Sequence, residues 1–179
     1  GYFISYLNCI REGEYHKFNQ IDIICHSMGN YLLTQTIGLC VKSMNGGSLE
    51  LFAGCNIICV AADSPYDEYN KAIIDVYDQI SNWIHYWTDK DWALRISSTI
   101  FVNNEYRAGQ MECKYKDDEN YPKVLSVEWT ETKCIDSDHG YIDEILGKFD
   151  PLANDVIARL NIPQEDENKE NEQASKSSE

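Results

Sequence analysis

Short apolar runs alternate along the chain with amphipathic stretches, and this alternation predicts the order of strands and helices. The run at 21–25, rich in β-branched residues, predicts a buried strand. Apolar residues then recur at helical spacing from Leu32 to Met44, and NGG at 45–47 predicts the end of that helix. A second buried strand is predicted at 55–62. Together these elements form one βαβ unit with a parallel crossover.

The remaining pattern continues the alternation of strands and helices. The further predicted elements are a helix or helical excursion at 65–82, a strand at 82–87, a helix that begins within 88–98, a strand at 123–131 and helices at 139–149 and 151–160. Residues 103–123 are polar and lack a clear period, so they predict a long loop or irregular insertion.

The distribution of apolar residues predicts one folded domain and a tail. Residues 1–163 are interpreted as an α/β domain with a mostly parallel sheet and helices on both faces. From Gln164 onward the chain consists mainly of Glu, Asn, Lys, Gln and Ser, which cannot form a core. Residues 164–179 are therefore predicted to be a disordered acidic tail.

The amino-acid composition argues against some classes of binding partner. The net charge of −15 argues against nucleic acid and anionic membranes, which attract basic surfaces. No apolar run approaches the roughly 18 residues that a membrane span needs. The seven cysteines lack C-x-x-C spacing, and their odd number favours a reducing compartment. We expect a cytoplasmic protein without a membrane span, metal or cofactor; no glycine-rich nucleotide-binding motif follows the first strand.

The turn between the first strand and helix carries the strongest candidate for chemistry, Ser27. A sharp strand-to-helix turn holds a serine oxygen clear of the sheet, where a base can activate it as a nucleophile. The usual pattern is G-x-S-x-G; this chain keeps Gly29 and has Cys25 at the first position, a residue small enough to be tolerated. The backbone N–H of Met28, at the start of the helix, would be one oxyanion donor.

Candidate partners for Ser27 follow in the order serine, acid, histidine that is typical of hydrolases with this turn. Asp91 comes after the third predicted strand and is the preferred acid; His139 comes after the fourth and would be the general base. Asp89, in the same loop as Asp91, and Asp63, at the end of the second strand, remain possible acids. Each of the three aspartates could instead cap a helix.

The other histidines are less suitable as the base. His26 adjoins the serine and would point away from it, His85 lies within a predicted strand, and His16 precedes the turn. We interpret these three as packed or solvated imidazoles.

Four blocks, IDIICHSMGNYLL, NIICVAAD, YWTDKDWALRISS and DHGYIDEI, resemble in sequence and order a family of α/β hydrolases of unknown function with an A-H-S-M-G-N type turn. The resemblance spans roughly residues 21–160, and Ser27, Asp63, Asp91 and His139 fall on its motif positions. It implies that Asp91 is the triad acid and Asp63 a second carboxylate at the site edge. It also implies a serine hydrolase acting on a small-molecule carboxylic ester or thioester.

The start of the chain is the main departure from that family. Proteins of this fold carry earlier strands and a loop that contributes a second oxyanion N–H, and this sequence begins after both. We therefore expect an N-terminally truncated α/β-hydrolase domain. The alternative is a catalytically inactive hydrolase-like module for protein interactions; it predicts that Ser27 and His139 lie far apart.

Overall fold

The computed structural model describes residues 21–42, 47–101, 105–129 and 151–160. The chain divides into two compact units, Gly1–Asp143 and Glu144–Glu179. The predicted helix at 139–149 and the predicted tail lie outside the described residues. In the second unit the described element is a helix, Pro151–Arg159, within which Arg159 Nε donates to Asp155 Oδ2 over 2.6 Å.

The first unit contains a parallel sheet, as the apolar runs predict. The described strands are β1 (Asp22–His26), β2 (Asn56–Val60), β3 (Asn82–Trp87) and β4 (Val124–Glu128). They lie in the order β1-β2-β3-β4, and each neighbouring pair is parallel. This confirms the α/β class and places the carboxyl ends of the strands at one edge of the sheet.

Helices follow the first three strands. They are α1 (Met28–Lys42), α2 (Tyr66–Val76) and α3 (Trp92–Phe101), and the helix of the second unit is α4. Short 3-10 helices span Gly47–Phe52 and Ala108–Gln110. The predicted helix at 65–82 ends earlier, at Val76. After it the chain turns to contact the segment before β2, where Gly54 N–H donates to Gln79 O over 2.8 Å.

β2 also ends earlier than its apolar run, which extends to Ala62. Ala61 has a φ of 46°, in the left-handed region, and this bends the chain out of the sheet. The carbonyls on either side accept hydrogen bonds from outside the sheet: Val60 O from Ser27 N and Ala62 O from Gly109 N. Ala61 and Ala62 are nevertheless buried, which explains why the apolar pattern continues past the strand.

The core lies between the sheet and the pair α1 and α2. Its members include Ile23, Ile57 and Trp83 from the strands, Leu33 and Ile37 from α1, Phe52 from the 3-10 helix, and Tyr69 and Ile73 from α2. On the opposite face, Ile58 and Ile84 of the central strands are also buried, whereas Ile24 and Leu125 of the outer strands are exposed. Burial of the central strands on both faces is typical of parallel sheets.

Residues 105–113, here called the crossing segment, run across the carboxyl ends of β2 and β3. Ala108 N–H donates to Ser64 O, Gly109 N–H to Ala62 O, and Thr88 N–H to Gly109 O, each over 2.9 Å. A Cβ on Gly109 would lie 2.4 Å from Ala62 N, so only glycine allows this approach. The predicted irregular insertion at 103–123 thus contains a segment whose backbone is hydrogen-bonded to the residues that follow β2 and β3.

Within the part of the chain that the structure describes, no helix is long and apolar enough to cross a bilayer.

Candidate active site

Ser27 is the single residue between β1 and α1, and its φ of 52° lies in the left-handed region. This conformation is uncommon for a residue with a side chain and is a mark of functional turns. Its backbone is held firmly: Ser27 N–H donates to Val60 O over 3.1 Å, and Ser27 O accepts from the N–H groups of Asn30 (3.0 Å) and Asp63 (3.2 Å). The sheet and the helix therefore both fix the position of this serine.

Asn30 locks the Ser27 turn from the first turn of α1. Its side-chain amide donates to Ser27 O over 3.2 Å and to Val60 O over 3.1 Å, which joins the turn to the end of β2. The side chain is fully buried, and its Oδ1 has no hydrogen-bond partner among the described residues. Sequence reasoning missed this role; the signal was an asparagine within the first helical turn.

The substitution of cysteine for the first glycine of the motif is accommodated. Even a Cβ added at Gly29 would lie 4.0 Å from Cys25 Cβ, an ordinary van der Waals distance. The turn therefore has room for the cysteine side chain beside Gly29. Burial raises the pKa of the Cys25 thiol to about 12. Cys25 is therefore a neutral thiol near pH 7 and does not compete with Ser27 as a nucleophile.

Three residues after β2, Asp63 forms a buried polar cluster with the crossing segment. Asp63 Oδ1 accepts a hydrogen bond from Ser97 Oγ over 2.7 Å and lies 3.0 Å from Arg107 Nε. Arg107 also donates through a terminal nitrogen to Ser97 Oγ over 3.3 Å. Arg107 and Ser97 were not predicted as site residues, because nothing local in the sequence indicates which polar residues of the loop and of α3 meet Asp63.

A cavity of about 340 Å³ opens beside the Ser27 turn. Its walls consist of Met28, Tyr31, Asp63, Pro65, Glu68, Ser97, Glu105 and Arg107. Met28 is the residue after Ser27 and the first of α1, so its backbone N–H is one of those that no carbonyl within the helix accepts. The cavity is therefore lined by the residue that follows the candidate nucleophile and by Asp63, whose backbone N–H donates to Ser27 O.

The two aspartates after β3 differ in burial and bonding. Asp91 is buried, and its Oδ1 accepts from Leu94 N–H over 3.0 Å, the arrangement of a helix N-cap. Asp89 is exposed, and its backbone carbonyl accepts from Arg95 over 2.7 Å. Capping uses one carboxylate oxygen, and the second can accept from an imidazole, so the cap is compatible with a triad role for Asp91.

His85 occupies a hydrogen-bonded position within the sheet. Its Nε2 lies 3.0 Å from Met111 O, a group that can only accept, so Nε2 carries the proton and Nδ1 accepts from Tyr69 Oη at 2.8 Å. Tyr69 Oη in turn accepts from Trp83 Nε1 over 2.8 Å. Burial lowers the pKa of His85 to about 4. His85 is therefore a packed imidazole, one of the two alternatives expected from the sequence, and its lowered pKa keeps it neutral near pH 7.

The structure brings the Ser27 turn, Asp63 and the cavity together at one edge of the sheet, with Asp91 following the adjacent strand β3. His139 lies outside the described residues, so its assignment as the base stays a prediction. Among the described residues, no group of three or more His, Cys, Asp or Glu side chains could hold a metal ion.

A family model described as alpha/beta hydrolase of unknown function (DUF900) matches residues 3–147. This range includes β1 to β4, the Ser27 turn, the three candidate aspartates and His139. No curated protein and no solved structure matches the chain.

Proposed function

Because the chain belongs to this family of α/β hydrolases, we propose that it is a serine hydrolase that cleaves carboxylic esters or thioesters through Ser27. The observation that carries the proposal is the position of Ser27, at a φ of 52° between β1 and α1, with the next residue, Met28, lining a cavity of about 340 Å³. A residue held in this conformation presents its side chain at the strand-helix junction, where a nucleophile needs to be accessible.

In the proposed reaction, Ser27 Oγ attacks the acyl carbon and its proton passes to the His139 imidazole. The backbone N–H of Met28 stabilises the negative oxygen of the tetrahedral intermediate. The alcohol or thiol leaves with the proton from the imidazolium, and an acyl group remains on Ser27. Water, deprotonated by His139, then attacks this acyl-enzyme and releases the carboxylic acid.

Asp91 is the aspartate best suited to orient His139. The charge of Asp63 is compensated by Arg107, whose Nε lies 3.0 Å from Asp63 Oδ1, so Asp63 would stabilise an imidazolium less well. Asp89 is exposed, and water and salt screen its charge. Asp91 is buried in the loop between β3 and α3, so water and salt screen its charge less than that of Asp89.

Labelling with a fluorophosphonate tests the nucleophile directly, because this reagent phosphonylates activated serines. The full-length protein should be labelled, Ser27→Ala should abolish the labelling, and the control Ser98→Ala, in α3, should leave it unchanged. Equal labelling of the Ser27→Ala protein would overturn the proposal. Absence of any labelling would favour the alternative of a catalytically inactive interaction module.

His139→Ala tests the base separately. Loss of the base should reduce turnover by at least 10³-fold, the usual effect of removing a member of such a unit. Turnover equal to that of the unmodified protein would remove His139 from the mechanism while leaving the Ser27 assignment intact.

A further inference from the structure

The peptide group between Ser27 and Met28 carries two parts of the proposed chemistry. Its carbonyl belongs to the candidate nucleophile, and its N–H is the candidate oxyanion donor. This peptide is trans, and a trans peptide is planar with its C=O and N–H pointing in opposite directions. Bonds that fix the Ser27 carbonyl therefore also set the direction of the Met28 N–H.

Asp63 bonds to this peptide from the segment that follows β2. Its backbone N–H donates to Ser27 O over 3.2 Å, and the same oxygen accepts from Asn30, which belongs to α1. The peptide is thus held both by the helix that it begins and by a residue outside that helix. A displacement of Asp63 would remove the second of these supports.

The side chain of Asp63 is held by a buried cation. Asp63 Oδ1 lies 3.0 Å from Arg107 Nε and accepts from Ser97 Oγ over 2.7 Å. Arg107 also donates to Ser97 Oγ over 3.3 Å, so the hydroxyl links the two charged groups. None of the three residues is more than 8% exposed. Separating the pair would leave a buried charge without its partner, which is strongly unfavourable.

The backbone around Asp63 connects the crossing segment to the Ser27 turn. The carbonyls of the residues directly before and after Asp63 accept hydrogen bonds from the crossing segment, each over 2.9 Å. The Asp63 N–H is instead directed to Ser27 O. Asp63 therefore contacts the crossing segment through its side chain and its neighbours, and the nucleophile turn through its own N–H.

We propose that Asp63 and Arg107 are positioning residues for the reaction. Arg107 holds Asp63, and the Asp63 N–H holds the peptide between Ser27 and Met28 in the orientation that oxyanion stabilisation requires. A buried ion pair adds little net stability, because desolvation of the charges offsets their attraction, and this favours a role in fixing a geometry. The inference rests on the proposed function, because it concerns the reaction of Ser27.

The rate of fluorophosphonate labelling tests the inference, because the phosphonyl oxygen gains negative charge when Ser27 attacks. Arg107→Met removes the cation and keeps an unbranched side chain, and it should slow labelling about tenfold. Arg107→Lys keeps a positive charge beside Asp63 and should be labelled at least roughly threefold faster than Arg107→Met. Unchanged labelling of Arg107→Met, or equally slow labelling of the two variants, would overturn the inference.

Asn56→Ala, at the amino end of β2, is the control for lost stability. It removes side-chain hydrogen bonds to Asp22 and Asn82, far along the strand from Ser27, and its labelling rate should stay within about twofold of the unmodified protein. Equal slowing in Asn56→Ala and Arg107→Met would overturn the inference. If Arg107→Met does not fold, Ser97→Ala takes its place: labelling should slow about threefold, and an unchanged rate would contradict the inference.

Hydrogen exchange of the Asp63 amide separates this inference from the proposed function, because it requires no reaction. In Arg107→Met, exchange of this N–H should accelerate about tenfold more than exchange of Trp83 N–H, which donates to Lys123 O over 2.9 Å at the amino end of β3. Equal acceleration at both amides, or none, would overturn the inference even if Ser27 is labelled. Selective acceleration at Asp63 in a protein that is not labelled would confirm that Arg107 holds the Ser27 turn and refute the nucleophile.

Discussion

At the amino ends of β1, β2 and β3 the polar side chains bond to one another, whereas near the carboxyl ends of the strands four buried polar atoms lack hydrogen-bond partners among the described residues. At the amino ends, Asp22 Oδ1 accepts from Asn56 Nδ2 over 2.9 Å, and Asn56 Oδ1 accepts from Asn82 Nδ2 over 2.7 Å. Near the carboxyl ends the four atoms are Asn30 Oδ1, Arg107 Nε and the indole Nε1 atoms of Trp87, the last residue of β3, and Trp129, the residue after β4.

This difference separates a structural use of polar residues from a functional one. The amino-end ladder joins paired positions of neighbouring strands, Asp22 with Asn56 and Asn56 with Asn82, so it reinforces the register. The carboxyl end combines incomplete bonding with left-handed backbone at Ser27 and Ala61. Such local costs collect at functional sites, where the rest of the fold compensates for them.

We expect the largest effect from adding a side chain at Gly109, where the crossing segment packs against the carboxyl end of β2. Gly109→Ala would place a Cβ 2.4 Å from Ala62 N and 2.6 Å from Ala61 C, so the backbones must separate. We expect the free energy of unfolding to fall by about 3 kcal/mol, measured by urea denaturation. The matched control is Gly38→Ala, in α1, where nothing lies within 4 Å; it should be neutral or slightly stabilising. Equal effects at both positions would show that the crossing segment is not closely packed.

Two asparagine substitutions compare the carboxyl and amino ends of the strands directly, through their effects on stability and on turnover. Asn30→Ala removes the two side-chain hydrogen bonds to Ser27 O and Val60 O, and Asn56→Ala removes bonds to Asp22 and Asn82. Each should lower the free energy of unfolding by about 2 kcal/mol. Turnover of an ester should fall roughly tenfold or more in the Asn30→Ala protein, because the serine is displaced, and stay within about twofold in the Asn56→Ala protein. Equal turnover in the two variants would erase the distinction between the ends.

His85, in the middle of β3, extends the comparison to the sheet interior. Its folded-state pKa of about 4 lies below the ordinary value of 6.5, so the unfolded chain binds more protons between these pH values. The stability that the neutral imidazole supports is present above pH 6.5 and is lost as the pH falls toward 4. Relative to His85→Gln, the protein should lose about 2 kcal/mol of unfolding free energy between pH 6.5 and pH 5. A difference that does not change with pH would mean that His85 is not held neutral.

The smallest effect is expected at Gly29. Since an added Cβ meets only Cys25 Cβ, at 4.0 Å, Gly29→Ala should change the free energy of unfolding by less than about 1 kcal/mol and leave ester turnover within roughly twofold. A large loss of turnover would show that the motif glycine serves the reaction through more than its small size. The result thus indicates whether hydrogen bonds or sterics hold the Ser27 turn.

The parts of the fold that could be predicted from sequence are those with a local cause. Local patterns predicted each described strand: apolar runs indicated β1 and β2, and an alternation of apolar and polar residues indicated β4, because burial on one or both faces of a strand sets these patterns. The position of Ser27 between strand and helix followed from the same local pattern. The early end of β2 did not, because Ala61 and Ala62 are apolar and their departure from the sheet is caused by bonds to distant residues.

The polar contacts of the site could be predicted only in part. Asp63 and Asp91 were singled out because each follows a strand, and the structure finds both buried at the same edge of the sheet. The pairing of Asp63 with Arg107 joins residues far apart in the chain, and a single sequence does not indicate which basic residue reaches which acid. The requirement for glycine at 109 likewise depends on its close approach to Ala62, which is absent from the local sequence.

The central claim, that Ser27 is the nucleophile, is tested most directly by trapping the acyl-enzyme. The full-length protein is mixed with an activated ester, quenched with acid during turnover, digested and examined by mass spectrometry. The account predicts the mass of the acyl group on the peptide that contains Ser27, and its loss in the Ser27→Ala protein. Turnover of the ester with an acyl group on another residue, or with none on any residue, would contradict it.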